Sequence, residues 1–113
     1  MKRDMDLMRQ LMLRAEASET LQGFKTSKPA EVYNIRLLSD AGLAVILDSH
    51  PLDGKAVRLL RLTSAGHDFL DAARNDTIWK KVRDKVIKPA GSWTLSLLLD
   101  YLKHQAKQKL GLP

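Results

Sequence analysis

The sequence contains no cysteine, which excludes disulfide bonds, thiolate nucleophiles and sulfur-ligated zinc. A chain without cysteine suits a reducing compartment, and we therefore expect it in the cytoplasm. It also lacks a long apolar run. Asp4, Asp6 and Arg9 interrupt the apolar residues of the N-terminal segment, and no other run approaches the roughly 20 residues that a membrane span needs. We therefore expect no signal peptide and no membrane association.

Motifs of common enzyme classes are missing as well. No nucleophile elbow, phosphate-binding glycine loop or carboxylate pair with a suitable base occurs in the sequence. His67 and Asp71 in "GHDFLD" lie one helical turn apart, a spacing that can hold a metal ion, but such a site normally needs at least three protein ligands. We interpret both residues as capping, hydrogen-bonding or surface groups. The sequence therefore predicts no enzymatic activity, no metal and no cofactor.

Acidic residues are scarce in the C-terminal third of the chain. The formal net charge is +6, but residues 1–77 contain eleven Lys and Arg against eleven Asp and Glu. Residues 78–113 contain eight Lys and Arg against only two aspartates. Such an excess favours polyanionic partners through counterion release, although a basic helix face is also typical of solvated surface.

Apolar periodicity and turn residues predict the order of elements in the N-terminal half. A first helix lies between Asp4 and Ala17, and the short segment "GFK" can form a strand. A second helix runs from Pro29 to Ala41 and stops at Gly42, because glycine readily adopts the left-handed conformation that ends helices. The segments "LAVILD" and "AVRLLRL" predict two strands on either side of the hairpin loop "SHPLDGKA".

Three further helices are predicted after the hairpin. One contains "GHDFL", the next is the basic amphipathic "IWKKVRDKVIK", which "PAGS" ends, and the last contains "LSLLLDYL". The candidate N-caps of these helices are Thr63 or Ser64, Asp76 or Thr77, and Ser92 or Thr94.

This order of elements is similar to that of winged-helix domains. "LLSDAGLAV" resembles the end of a winged-helix recognition helix, and "LRLTSAGHDFL" resembles the return strand and following helix. We therefore predict an α+β, mainly helical winged-helix domain, with a two- or three-stranded antiparallel β-wing and two appended C-terminal helices. Residues 1–76 would form a winged helix trimmed by one helix, because only about eleven residues precede Pro29 after the first helix. Residues 77–113 would form a basic amphipathic extension packed on it within a single domain.

The whole chain also resembles a family of short, uncharacterised bacterial and prophage proteins. Members typically open with "MKRDMDL", and the segments that carry the resemblance are Met1–Leu7, Tyr33–Leu43, Leu62–Val82 and Lys109–Leu112. Asn34 departs from the pattern, because members often carry histidine there. The resemblance implies a phage or mobile-element origin and brings no established activity.

The first functional hypothesis is a nucleic-acid-binding accessory or regulatory protein that contacts double-stranded DNA. Asparagine can pair with adenine and arginine with guanine through two hydrogen bonds each. The candidate contacts are Lys28, Tyr33, Asn34 and Arg36 of the second helix, Lys55 and Arg58 of the wing, and Lys80 and Lys81 of the fourth helix.

The alternative is a non-enzymatic protein-interaction module that uses a winged-helix scaffold without reading DNA. The charges of the second helix cancel, and Leu37 occupies a position that is commonly polar in DNA-reading helices. The stretch "SWTLSLLLDYL" extends the apolar surface beyond one helical stripe. The partner would be another protein or a second copy of the chain, contacted through Leu37, Trp93, Leu97 and Leu99.

Overall fold

The computed structural model describes residues 2–18, 20, 22–49, 52–84, 95–109 and 111. Within these residues the chain is α+β, as predicted, and its layout is consistent with a winged helix. The predicted break at "PAGS" and the candidate caps Ser92 and Thr94 lie outside the described residues. The elements are α1 (Met5–Ala17), β1 (Phe24–Thr26), α2 (Pro29–Asp40), β2 (Ala44–Asp48), β3 (Val57–Leu62), α3 (Ser64–Ala73), α4 (Asp76–Val82) and α5 (Leu95–Lys109).

The chain divides into two compact units, residues 1–68 and residues 69–113. The boundary that we predicted from the sequence, between the trimmed winged helix and its C-terminal extension, lies later, between residues 76 and 77. In the structure the division falls within α3 (Ser64–Ala73), whose second half belongs to the C-terminal unit. The packing of the C-terminal extension on the rest of the chain stays a prediction.

The first unit contains a three-stranded antiparallel sheet with the strand order β1-β3-β2. The strand predicted at "GFK" is present as β1, so the sheet has three strands, the upper of the two numbers predicted. Phe24 of β1 and Ile46 of β2 both pair with Leu59 of the central strand. The register between β2 and β3 shifts between Val45 and Ile46, which marks a β-bulge.

The first of the two aspartates in the opening "MKRDMDL" has a structural role at the start of α1. The Asp4 carboxylate accepts a hydrogen bond from the Leu7 backbone N–H at 3.0 Å and so caps the helix. Met8 and Met12 follow on the buried face, which places the apolar stripe of α1 in the core.

The two winged-helix signatures are held together by hydrogen bonds. α2 ends as predicted at Gly42, which has a φ of +76°, and the Leu43 N–H bonds back to the Leu38 carbonyl at 2.9 Å. The Thr63 hydroxyl donates to the Gly42 carbonyl at 2.6 Å and also accepts from the Gly66 N–H at 3.0 Å. Thr63, the first of the two predicted candidates, therefore caps α3 and joins it to the end of α2.

The second unit contains α4 and α5, which contact each other. Trp79 of α4 and Leu98 and Leu102 of α5 are buried. α4 is capped by Asn75, whose side chain accepts from the Ile78 N–H at 3.0 Å, rather than by the predicted Asp76 or Thr77. Asn75 has the extended backbone of an N-cap, whereas the next two residues are already helical.

The helices in the described part of the chain are short or carry many charged residues. No helix there combines the length and the apolar composition that a bilayer span requires.

Candidate functional site

The solvent side of α2 is the candidate functional site, because α2 is the helix that the sequence predicts to be a reading helix and the layout is consistent with a winged helix. Val32, Ile35 and Leu38 are buried and form the inner face of this helix. Ala30 is exposed on the other side of the helix, and Tyr33 and Leu37 are half-buried there. We name these three residues, Ala30, Tyr33 and Leu37, the α2 stripe. Its side chains are apolar except for the tyrosine hydroxyl.

Asn34 does not lie on the solvent side, and this corrects its assignment as a base-reading residue. Its side chain is only 1% exposed. The amide oxygen accepts a hydrogen bond from the Asp4 backbone N–H at 2.9 Å, and the amide nitrogen donates to the Ala30 carbonyl at 2.8 Å. Asn34 therefore ties the start of α1 to α2, and it cannot reach a base edge while these bonds persist.

Arg36 is engaged within the protein as well. Its guanidinium donates to both carboxylate oxygens of Asp48 at the end of β2, with one nitrogen to oxygen distance of 3.2 Å, and to the Gly54 carbonyl at 3.2 Å. Such a bidentate pair is geometrically specific. Arg36 therefore braces the hairpin against α2, and this does not fit its assignment as a base contact.

The Arg36–Asp48 bridge gives a pH-dependent prediction. The hydrogen bond from Arg36 lowers the pKa of Asp48, with partial burial acting in the opposite direction and the opposite charge adding to the lowering. Because the folded-state pKa lies below the unfolded value of about 4, the bridge stabilises fully above that pH. Its contribution is lost as the pH falls through the folded-state pKa. We expect Arg36→Gln to raise the pH at which Asp48 titrates, as measured by carboxyl NMR.

Lys55→Gln is the matched control for this titration. Lys55 lies in the same hairpin, and its backbone N–H, rather than its ammonium group, bonds to the Asp53 side chain among the residues that the structure describes. An Asp48 that titrates at the same pH in the wild type and in Arg36→Gln would contradict the bridge.

The other predicted DNA contacts are spread over both units. Lys28 and Lys55 are exposed, and their ammonium groups have no recorded partner within the described ranges. Arg58 donates to the Gln22 carbonyl at 3.2 Å. Lys80 and Lys81 are exposed in the second unit, where Lys81 lies 3.4 Å from the Gln105 side-chain oxygen.

Two exposed leucines in the hairpin were not identified from the sequence as candidate functional residues. The side chains of Leu47 in β2 and Leu52 in the loop are 56% and 103% exposed, respectively. Leu47 lies next to Asp48, whose side chain turns to Arg36, so the alternation of a strand directs Leu47 to the opposite face. For Leu47, this alternation could have indicated its exposure from the sequence. For Leu52, nothing in the sequence indicated exposure except that it lies beside a predicted turn.

The predicted partner-binding residues of the C-terminal segment are only partly described. Leu97 of α5 is 55% exposed. The side chain of Leu99 and all of Trp93 lie outside the described residues. Of these three residues, Leu97 alone therefore has a described side chain.

His67 and Asp71 fit the surface roles predicted for them. His67 is exposed, and Asp71 accepts a hydrogen bond from Arg74 at 2.9 Å. Across the part of the chain that the structure covers, no three His, Asp or Glu side chains are grouped to hold a metal ion.

Comparison with known proteins confirms the family resemblance. An uncharacterized protein of Haemophilus influenzae is 32% identical over 114 residues, a match that covers 95% of this chain and 93% of that protein. No solved structure matches the chain significantly. The family described as "Hypothetical protein (DUF2513)" matches residues 2–92, which include α1 to α4 and therefore the α2 stripe. The chain belongs to this DUF2513 family.

Proposed function

We propose that this protein is a non-enzymatic protein-interaction module that uses a winged-helix scaffold without reading DNA. The observation that carries the proposal is the internal use of Asn34 and Arg36. Among the α2 side chains, these two can pair with a base through two hydrogen bonds, and both are engaged with other parts of the protein. Tyr33 and Leu37 remain on the solvent side, one helical turn apart.

The spacing and charge of this surface fit a protein partner. A helix that docks into a groove presents apolar anchors at positions i and i+4, as Tyr33 and Leu37 do. Residues 1–68 carry ten Lys and Arg and nine Asp and Glu, a net charge of only +1. A net charge this small gives the unit as a whole little attraction to DNA phosphates. The occupant we propose is a different protein with an apolar pocket for Tyr33 and Leu37.

DNA binding is the second candidate, and a specific observation favours it. Lys28 and Lys55 are exposed, and residues 69–113 carry nine Lys and Arg against four aspartates. Contacts of this kind bind the phosphate backbone without reading sequence, and added salt weakens them. The mobile-element origin and the cytoplasmic location stay predictions, the second supported by the absence of cysteine.

The proposal predicts that Leu37→Glu releases the protein from its partner. A buried carboxylate without a counter-charge is unfavourable in an apolar pocket, so we expect at least about a tenfold loss of affinity. The measurement is native size fractionation of lysates from the bacterium that encodes the protein. Gln10→Glu, which places the same charge at an exposed position of α1, is the matched control.

We expect the wild type and Gln10→Glu to elute in a larger assembly that survives nuclease, and Leu37→Glu to elute as the free chain. Thermal unfolding of the purified variants separates lost binding from lost folding. An assembly that nuclease dissolves would favour the DNA candidate, and identical elution of all three proteins would remove Leu37 from the interface.

A further inference from the structure

The sheet has a second surface, on the side opposite its buried face. Val57 and Leu59 of β3 are completely buried, and β3 contacts α1 while β2 contacts α2. Because side chains alternate along a strand, Arg58 and Leu60 lie on the other face, where both are half-buried. We name this other face the outer sheet face. Its residues are Lys25, Val45, Leu47, Arg58, Leu60 and Arg61.

The β-bulge places an additional cation on this face. Val45 pairs with Arg61 and Ile46 pairs with Leu59, so β3 contains one more residue than β2 at this point. Without the bulge, alternation from Leu59 would direct Arg61 into the core. With the bulge, Arg61 is exposed and Leu62 is buried instead. A bulge commonly changes the direction of a side chain in this way at functional surfaces.

Two of the cations stand directly opposite each other. Lys25 of β1 is the register partner of Arg58 of β3, and like charges at opposed positions destabilise a sheet. Within the described segments, Arg58 and Arg61 donate to backbone carbonyls, those of Gln22 and Leu62 respectively. The Lys25 ammonium has no recorded partner within the described ranges. Among the described residues, no carboxylate therefore bonds to these three cations.

Apolar side chains lie between the cations. Leu47 is paired with Arg58 across the β2–β3 ladder and is 56% exposed. Val45 and Leu60 are half-buried beside the bulge. A phosphate backbone gains little from leucine and valine contacts, whereas a peptide with carboxylates and aliphatic side chains complements both properties of the face.

We propose that the outer sheet face binds an acidic, aliphatic segment of a partner protein. The carboxylates of the segment neutralise Lys25, Arg58 and Arg61, and its aliphatic side chains cover Leu47 and Leu60. This inference does not depend on the α2 stripe, because it concerns the face of the sheet that is turned away from α1 and α2.

The test is an NMR titration of the ¹⁵N-labelled full chain at physiological salt. The probe is a peptide of alternating glutamate and leucine, about eight residues long, which is near the upper range of ordinary strand lengths. We expect amide shifts at residues 24–26, 45–47 and 58–61, and no such shifts with an alternating lysine–leucine peptide. Lys25→Glu should weaken the binding of the glutamate–leucine peptide at least about tenfold, because it places a negative charge against the glutamates of the peptide.

Lys25→Glu is informative because it should not impair folding. It replaces a repulsive cross-strand pair with an attractive one, so the thermal midpoint should stay unchanged or rise. Lys25→Gln is the second variant, and it should show an intermediate loss of affinity. Lys55→Glu, in the hairpin loop and outside the face, is the charge-matched control and should bind as the wild type does.

Several results would overturn the proposal. One is that the peptide shifts amides elsewhere in the chain instead of those on the outer sheet face. Another is that Lys25→Glu and the wild type bind the peptide with equal affinity. A third is displacement of the peptide from the same amides by a single-stranded oligonucleotide at physiological salt, which would assign the face to nucleic acid. None of these results bears on Leu37, so the two surfaces are tested separately.

Discussion

Gly66→Ala is expected to lower the free energy of unfolding by about 3 kcal/mol or more, the upper range for overpacking a closely packed site. A Cβ atom at residue 66 would lie 2.0 Å from the Leu43 carbonyl oxygen. That oxygen accepts a hydrogen bond from the Thr63 N–H at 3.0 Å. A shift of the Leu43 carbonyl away from the new Cβ atom would therefore also weaken this hydrogen bond. Urea denaturation followed by circular dichroism measures the loss.

Gly42→Ala is the matched control, because it lies in the same junction but differs in mechanism. Gly42 has a φ of +76°, and a Cβ atom at this residue would meet no other atom within 4 Å. Its replacement therefore costs only the left-handed backbone conformation, about 1 to 2 kcal/mol. A Gly66→Ala protein no less stable than Gly42→Ala would contradict the close contact between α3 and the start of β2.

Asn34→Leu is expected to destabilise the protein by about 2 kcal/mol, because leucine has a similar size but leaves the Asp4 N–H without its acceptor. The loss should be greatest at the start of α1, where Asp4 also caps the helix. Hydrogen exchange at the Leu7 amide should therefore accelerate more than exchange in β3. If Asn34 were a surface residue reserved for DNA, the same change would leave stability within about 0.5 kcal/mol.

Asn34→His is the conservative comparison for this experiment. A neutral imidazole has one donor and one acceptor, so it can replace the amide as acceptor for the Asp4 N–H. We expect a smaller loss than for Asn34→Leu at pH 8. The loss should increase below about pH 6, because a protonated imidazole has no acceptor. Equal losses for both variants at pH 8 would show that the Asp4 bond contributes little.

Features that depend on local sequence were predicted well. α2 begins at Pro29 and ends before Gly42 because proline suits a first turn and glycine suits the left-handed stop. The cap of α4 was misplaced by one residue, since Asn75, Asp76 and Thr77 are all good capping residues and only the backbone geometry separates them.

The candidate site was predicted less well, because its chemistry depends on contacts between distant segments. The burial of Asn34 had a local signal, since it lies four residues before the buried Leu38 and so shares its helix face. Its bond to Asp4, thirty residues earlier, had none. Strand register determines both the Arg36–Asp48 bridge and the bulge that exposes Arg61. The pattern of side chains in the sequence was not sufficient to predict that register.

The most direct test of the account is site-specific photo-crosslinking from position 37 in the living bacterium, with position 10 as the control. The measured quantity is the chemical class of the adduct, established by its sensitivity to protease or to nuclease. We expect a protein adduct of one defined mass from position 37 and none from position 10. A nuclease-sensitive adduct from position 37 would show that α2 contacts nucleic acid and would contradict the proposed function.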